Sequence, residues 1–140
     1  MIILDTNVLS ALMRKAPDAS VVEWLDQQPA ESIWITSITL FEARLGLALL
    51  PNGRRRNVLE SAFEELLVED LEGRILDFDR PAAEAAAALA AERQRQGRVV
   101  DIRDTQIARV VLARRATFAT SNVKHFSDLG ADVVNPWGIS

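Results

Sequence analysis

Short apolar runs typical of β-strands alternate along the chain with longer segments that have helical periodicity. The strand-like runs cover residues 1–5, 32–36, 74–78, 117–120 and 131–136. The helical segments cover residues 7–14, 17–28, 37–50, 54–67, 79–96 and 101–116. This alternation predicts an α/β fold in which helices cover both faces of a central parallel sheet of about five strands. We expect Ser37 and Asp79 to cap the helices that begin there.

Length and composition are those of an ordinary globular domain, which we expect to span residues 1–140. The chain has no cysteine, which removes disulfides and zinc–thiolate sites and fits a reducing cytoplasm. We expect no membrane span and no signal peptide, because no apolar stretch is long enough and the first residues lack a basic region. The net charge of −4 disfavours nucleic acid as a partner overall, yet arginine, the better phosphate ligand, greatly outnumbers lysine.

Three acidic residues lie at positions where the pattern predicts burial. Asp5 ends the first apolar run, and ligands of parallel sheets bind beyond the carboxyl ends of the strands. Glu42 and Asp104 each share a helical face with apolar residues three and four positions away. Each acid also has a structural interpretation. Asp5 could cap a helix, Asp104 could interact favourably with the helix dipole in a first turn, and Glu42 could reach solvent from the edge of the apolar face of its helix. Three acids that independently depart from the rule that charged residues are exposed together favour one shared site.

Convergence of the three carboxylates would be unfavourable without a cation. Two carboxylates about 4 Å apart repel by roughly 4 kcal/mol at an effective dielectric near 20, whereas a whole domain is stable by roughly 5–15 kcal/mol. Bound protons or a cation must offset this repulsion. Oxygen ligands without cysteine or clustered histidine suit Mg²⁺ or Mn²⁺, ions that activate water and bind phosphate oxygens. The sequence therefore points to phosphoester chemistry.

Five sequence blocks resemble the PIN-domain family, and their order and spacing are similar to those of VapC-type toxins from type II toxin–antitoxin pairs. The blocks are ILDTNVLSAL (3–12), SITLFEARLGLALL (37–50), DIRDTQIA (101–108), ATSNVKHF (119–126) and VVNPW (133–137). The resemblance covers essentially the whole chain and implies a three-layer α/β/α PIN-like domain. It also implies an endoribonuclease that uses Mg²⁺, with Mn²⁺ as the alternative, to cleave RNA phosphodiesters by metal-activated water.

The same resemblance assigns roles to individual residues. It implies that Asp5, Glu42 and Asp104 are catalytic and hold the metal. The polar residues expected to orient ligands, water or substrate are Thr6, Asn7, Asp101, Thr120 and Asn122. Many relatives have an acid at the position of Asn122, so a second metal has less support here, and Asp101 also fits a helix N-cap.

Several partners follow from the resemblance and from the surface residues. It implies an RNA substrate, a small antitoxin that blocks the acidic pocket, and DNA contact only through the antitoxin. Helix 37–50 is apolar all round, which favours a homodimer, as the resemblance also implies. Three arginines would enter the first turn of one helix, where cations oppose the helix dipole: Arg54, Arg55 and Arg56. They are candidates for contact with RNA or a partner, and the alternative is an ordinary solvated charged face. Further arginines proposed for a basic rim are Arg93, Arg95, Arg98, Arg114 and Arg115.

Two other interpretations remain open at this stage. A catalytically weak PIN module would act mainly by forming complexes with its antitoxin and DNA. A receiver-like signalling domain would also place acids around Mg²⁺ at strand ends, but the first strand here ends in a single acid and Lys124 has the wrong context. His125, the sole histidine, fits a surface residue better than a catalyst.

Overall fold

Five parallel strands form one sheet in the computed structural model, which describes residues 1–99 and 101–138. The strands are β1 (Ile2–Leu4), β2 (Ile33–Thr36), β3 (Ile75–Leu76), β4 (Thr117–Ala119) and β5 (Val133–Val134). Their order in the sheet is β3-β2-β1-β4-β5, and β1 pairs with both β2 and β4. The predicted parallel sheet of about five strands is confirmed. Because all strands run the same way, their carboxyl ends share one edge, and the chain order reverses around β1.

Six α-helices connect the strands within these described residues. They are α1 (Thr6–Leu12), α2 (Ala19–Asp26), α3 (Ser37–Ala48), α4 (Arg54–Glu65), α5 (Arg80–Arg95) and α6 (Ile102–Ala113). A π-helical turn (Leu66–Asp70) extends α4, and single 3₁₀ turns cover Ala30–Ser32 and Val123–Phe126. In the part of the chain that the structure describes, no helix has the length and apolar character needed to cross a membrane.

Side chains that alternate along the strands build two apolar cores, one on each face of the sheet. Ile3 and Phe118 belong to the core covered by α5 and α6, where the rings of Phe118 and Phe126 meet edge to face at 4.7 Å. Leu4 and Ala119, the next residues along β1 and β4, belong to the core covered by α1, α2 and α4. The fold is therefore the expected three-layer α/β/α arrangement.

Two helix starts test the capping predictions. Asp79 is the N-cap of α5, as predicted, and accepts a hydrogen bond from the backbone N–H three residues on at 3.0 Å. The prediction for Ser37 is wrong by one residue, because Thr36 is the N-cap of α3 and accepts the equivalent bond at 3.1 Å. The Ser37 hydroxyl instead accepts a hydrogen bond from the backbone N–H of Phe78 at 3.0 Å, which ties α3 to the segment after β3.

Arg93 is buried and joins α5, α6 and the segment after β4. Its Nε and Nη2 donate to the two carboxylate oxygens of Asp128 at 3.0 and 2.8 Å, and its Nη1 donates to Thr105 Oγ1 at 3.0 Å. The placement of Arg93 in an exposed basic rim is therefore wrong, because internal partners use its guanidinium. Hydrogen bonds from Arg93 and, to a lesser extent, Arg98 hold the pKa of the Asp128 carboxyl below its usual range.

We expect Asp128→Asn to destabilise the protein by about 1–3 kcal/mol at pH 7, because the variant leaves the buried Arg93 without its anion. The folded-state pKa of Asp128 is lowered, so its contribution is present above the unfolded carboxyl pKa of about 3.9 and disappears as the pH falls through the folded pKa. Urea unfolding measured across this range should show the two proteins converging in acid.

The control for this experiment is Asp132→Asn, which changes an exposed aspartate. It should unfold like the parent protein at every pH. Equal unfolding free energies of Asp128→Asn and Asp132→Asn at pH 7 would show that the Arg93 pair contributes nothing.

Candidate active site

Asp5 directly follows β1 and is buried at the carboxyl edge of the sheet, with 4% of its surface exposed. Its backbone N–H continues the ladder by donating to Ala119 O at 2.9 Å. One carboxylate oxygen accepts the Thr6 backbone N–H at 2.8 Å and so caps α1. The other accepts hydrogen bonds from Thr120 Oγ1 at 2.7 Å and Asn7 Nδ2 at 3.2 Å. Asp5 is therefore a helix cap and also an acid held where ligands of parallel sheets bind.

A polar network at the ends of β1 and β4 fixes the donors that surround Asp5. Thr120 is fully buried, and its Oγ1 accepts the backbone N–H of Asn122 at 3.0 Å. Asn7 Oδ1 accepts the backbone N–H of Ser121 at 3.3 Å. The structure thus brings Asn7, Thr120 and Asn122 together as predicted, and Asn122 joins the network through its backbone.

Glu42 on α3 faces Asp5's neighbour Thr6, whose Oγ1 donates to Glu42 Oε1 at 2.9 Å. Its second oxygen lies 3.5 Å from Arg103 Nη1 on α6. The Arg103 guanidinium also lies 6.0 Å from the centre of the exposed Phe41 ring. Both oxygens of Glu42 therefore have partners within the chain.

Asp104 lies in the first turn of α6, and its side chain is 24% exposed. Asp101 is the N-cap of that helix, as predicted, because its carboxylate accepts the Asp104 backbone N–H at 3.0 Å. Asp104 Oδ2 lies 3.6 Å from His125 Nδ1, a distance at which a protonated imidazole would form an ion pair. His125 is a surface residue, as expected, but its contact with Asp104 brings it into the site.

The electrostatics of the three acids connect them. Burial raises the pKa of Asp5, and the charge of Asp104 raises it further, while the hydrogen bond from Thr120 opposes the shift. Burial likewise raises the pKa of Asp104, with further contributions from the charges of Asp101 and Glu42, and His125 opposes this. Asp5 and Glu42 each interact with Asp104, so the sequence-predicted acids share one electrostatic field.

The donor set fits a hard divalent cation in its chemistry. Asp5, Glu42 and Asp104 offer carboxylate oxygens supported by threonine hydroxyls, which are ligands that Mg²⁺ and Mn²⁺ prefer. Burial, and secondly repulsion between the acids, raise the pKa values of Asp5 and Asp104, and a cation would offset both. In residues 1–99 and 101–138, no three acid or histidine side chains are already arranged as a metal cage. The two oxygens of Glu42 instead contact Thr6 and Arg103.

The arginines at the start of α4 have different surroundings from one another. Arg56 Nε donates to Glu60 at 2.8 Å and its Nη1 donates to Asn52 Oδ1 at 2.9 Å. Arg54 and Arg55 are exposed. Contact of these three arginines with RNA or a partner stays a prediction, and Arg56 would have to leave internal partners to make it.

Sequence reasoning missed Arg103 altogether. The signal was present, because Arg103 precedes Asp104 and enters the first turn of α6, where a cation opposes the helix dipole. Its reach towards Glu42 on another helix depends on tertiary packing, which the sequence pattern did not reveal.

We expect the stability of Asp5→Asn relative to the parent protein, without divalent cations, to rise between pH 4 and pH 7. Asparagine also caps a helix, but its amide nitrogen cannot accept the hydrogen bonds from Thr120 and Asn7, so the variant loses an acceptor together with the buried charge. Because the folded-state pKa of Asp5 is raised, its anion disfavours folding as the pH rises above the unfolded carboxyl pKa of about 3.9. The stability of the variant relative to the parent protein in thermal unfolding should therefore rise from pH 4 towards pH 7.

Asp18→Asn provides a matched control, because Asp18 caps α2 in the same way, accepting the Ser20 backbone N–H at 2.9 Å. It should show no such trend. A parent protein that gains stability over Asp5→Asn as the pH rises would contradict the repulsion described here.

Comparison with known proteins places the whole chain in one family. The PIN-domain profile matches residues 2–131. VapC ribonuclease Y4jK of Sinorhizobium fredii is 38% identical over 137 residues, covering 98% of each chain. Toxin FitB of Neisseria gonorrhoeae is 38% identical, covering 98% of this chain and 99% of its own. A structure of FitAB bound to an IR36 DNA fragment matches with a TM-score of 0.88 and 37% identity, over 100% of this chain and 98% of the other. The chain with this acidic site is a member of the PIN-domain family.

Proposed function

We propose that this chain is a VapC-type toxin, a Mg²⁺-dependent endoribonuclease that acts in the cytoplasm and that a small antitoxin neutralises. A ribonuclease activity is supported by the 38% identity to a protein named VapC ribonuclease. The observation that carries the proposal is the state of Asp5: its carboxylate is buried, oriented by Thr6, Asn7 and Thr120, and repelled by Asp104. Such a carboxylate is suited to a cation, with Mn²⁺ as the alternative to Mg²⁺.

Each residue of the site has a separate task in this proposal. Asp5, Glu42 and Asp104 would hold the cation, which when bound lowers the pKa of water and offsets negative charge on phosphate oxygens. Thr120 and Asn7 keep the Asp5 carboxylate in one orientation. Asp5 and the donors that orient it are placed before substrate arrives. Glu42 would have to turn from Arg103 to reach the cation.

The receiver-like alternative is wrong. A receiver sheet has the order 2-1-3-4-5, whereas this sheet has the order β3-β2-β1-β4-β5. The profile match over residues 2–131 likewise assigns the chain to the PIN-domain family. A catalytically weak PIN module remains the second candidate, because Glu42 is held by Thr6 and Arg103 in the present arrangement.

We expect the purified protein to cleave RNA with Mg²⁺ or Mn²⁺ and to lose activity when the cation is chelated. Asp5→Asn, Glu42→Gln and Asp104→Asn should each lower kcat/KM by about 100-fold or more, equivalent to roughly 2.7 kcal/mol of transition-state stabilisation. Gel analysis of structured and unstructured RNAs, with circular dichroism of each variant, measures this.

Glu23→Gln on α2, an exposed acid outside the site, should cleave like the parent protein. Full activity in a folded variant of one of the three acids would remove that residue from the site. Undetectable cleavage by the parent protein would favour the weak module, whereas cleavage without a divalent cation would contradict the proposed metal dependence.

We propose that the antitoxin covers the acidic pocket and supplies the contact with DNA. Support comes from the structural likeness to FitAB, which was solved with a DNA fragment. The net charge of −4 on this chain is unfavourable for direct contact with a phosphate backbone. A positively charged partner is therefore better suited to bind the DNA.

We also propose that the protein forms a homodimer through an apolar row on α3. Phe41, Leu45 and Leu49 recur every four residues on one face and are 56%, 36% and 76% exposed. Val58 on the neighbouring α4 is 57% exposed as well. A second copy of the chain could bury these side chains against its own row, as two-fold symmetric dimers do.

Leu49→Glu should convert this dimer to a monomer, because it places a charge in an apolar interface. Light scattering coupled to size exclusion measures the mass of each species. Val68→Glu introduces the same charge at an exposed valine outside the row and should remain dimeric. A parent protein that is already monomeric, or a dimeric Leu49→Glu, would contradict the proposed interface.

A further inference from the structure

Arg103 brings a positive charge beside Glu42 in the acidic site. Its Nη1 lies 3.5 Å from Glu42 Oε2, and its side chain is 47% exposed. The contact is longer than a good charge-assisted hydrogen bond, which spans about 2.7–2.9 Å. A guanidinium has five N–H donors, so most of the donors of Arg103 remain open to solvent.

The position of Arg103 has no benefit for the helix that carries it. Arg103 is the second residue of α6, where the positive end of the helix dipole disfavours a cation. The Arg103 guanidinium also lies 6.0 Å from the centre of the Phe41 ring on α3, within reach of a cation–π contact. The charge is thus held beside Glu42 and Asp104 against a local preference.

We propose that Arg103 binds a phosphate of the RNA substrate beside the acidic pocket, and that its contact with Glu42 is its resting position. This inference rests on the proposed ribonuclease function. A cation shared by the carboxylates would weaken the attraction of Glu42 for Arg103, because it neutralises the same charge. A phosphodiester arriving at the pocket is then the better partner, since a guanidinium binds phosphate oxygens bidentately.

A support role for Arg103 is the alternative, and it has different consequences. If Arg103 served only to hold Glu42, its loss would change thermal stability and kcat. It would leave the salt dependence of RNA binding unchanged, because no phosphate contact would be lost. The salt dependence of binding therefore separates the two roles.

The test measures binding of a short, unstructured, fluorescein-labelled RNA by anisotropy. The three acids are kept and Mg²⁺ is present, the RNA carries non-cleavable backbone linkages so that it stays intact, and the salt concentration is varied from about 50 to 200 mM. Adding Arg103→Gln should weaken binding about tenfold and reduce the slope of log K against log salt by about 0.7. Arg103→Lys should keep the slope with weaker binding, because it retains the charge but not the planar fork. In a cleavage assay, Arg103→Gln should act mainly on KM. The factor by which it raises KM should be about ten times the factor by which it lowers kcat.

Arg14→Gln is the matched control, because it removes one exposed arginine that follows α1 at the end away from Asp5. Equal affinity and slope for Arg103→Gln and Arg14→Gln would overturn the inference, as would a loss of stability and kcat with an unchanged slope. If the parent protein cleaves RNA, such results leave the proposed function standing. If it neither cleaves nor binds RNA, both proposals fail.

Discussion

The rest of the site depends on one buried carboxylate. Asp5 lies where β1 ends, and the donors that hold it come from the first residues of α1 and from the residue after β4. Burying a carboxylate is unfavourable unless hydrogen bonds or a cation compensate. Here the hydrogen bonds compensate only in part, because burial and the charge of Asp104 still raise the Asp5 pKa. The fold therefore concentrates unbalanced negative charge at the edge of the sheet where β1 meets β4.

The fold supplies this charge from three separate elements. Asp5 follows a strand, Glu42 is on a helix that starts at the end of β2, and Asp104 is in the first turn of α6. The buried Arg93 fixes the start of α6 by bonding Thr105, the neighbour of Asp104, and Asp128. Stability and site geometry are coupled at this point, because the hydrogen bond from Arg93 to Thr105 that joins α5 to α6 also holds the turn that carries Asp104.

The sequence was informative where a local pattern decides the outcome. Alternating apolar runs predicted the parallel sheet, and the helix caps Asp79 and Asp101 follow from residue type and position. The Ser37 prediction failed because the threonine before it has an equally good capping hydroxyl. Arg93 and Arg103 were misjudged or missed because a long side chain reaches partners on other elements, and only tertiary packing selects among its rotamers. The pairing of Glu42 with Arg103 is likewise a property of two helices and not of either one.

The central claim is that Asp5, Glu42 and Asp104 share one divalent cation. Anomalous scattering from a crystal grown with Mn²⁺ tests it most directly, because the signal locates the ion itself. We predict a single peak with oxygens of all three carboxylates roughly 2.1 Å away or bridged to it by water, and with Glu42 turned from Arg103 towards the ion. A peak bound elsewhere, or no peak in a crystal of protein that cleaves RNA with Mn²⁺, would contradict the claim.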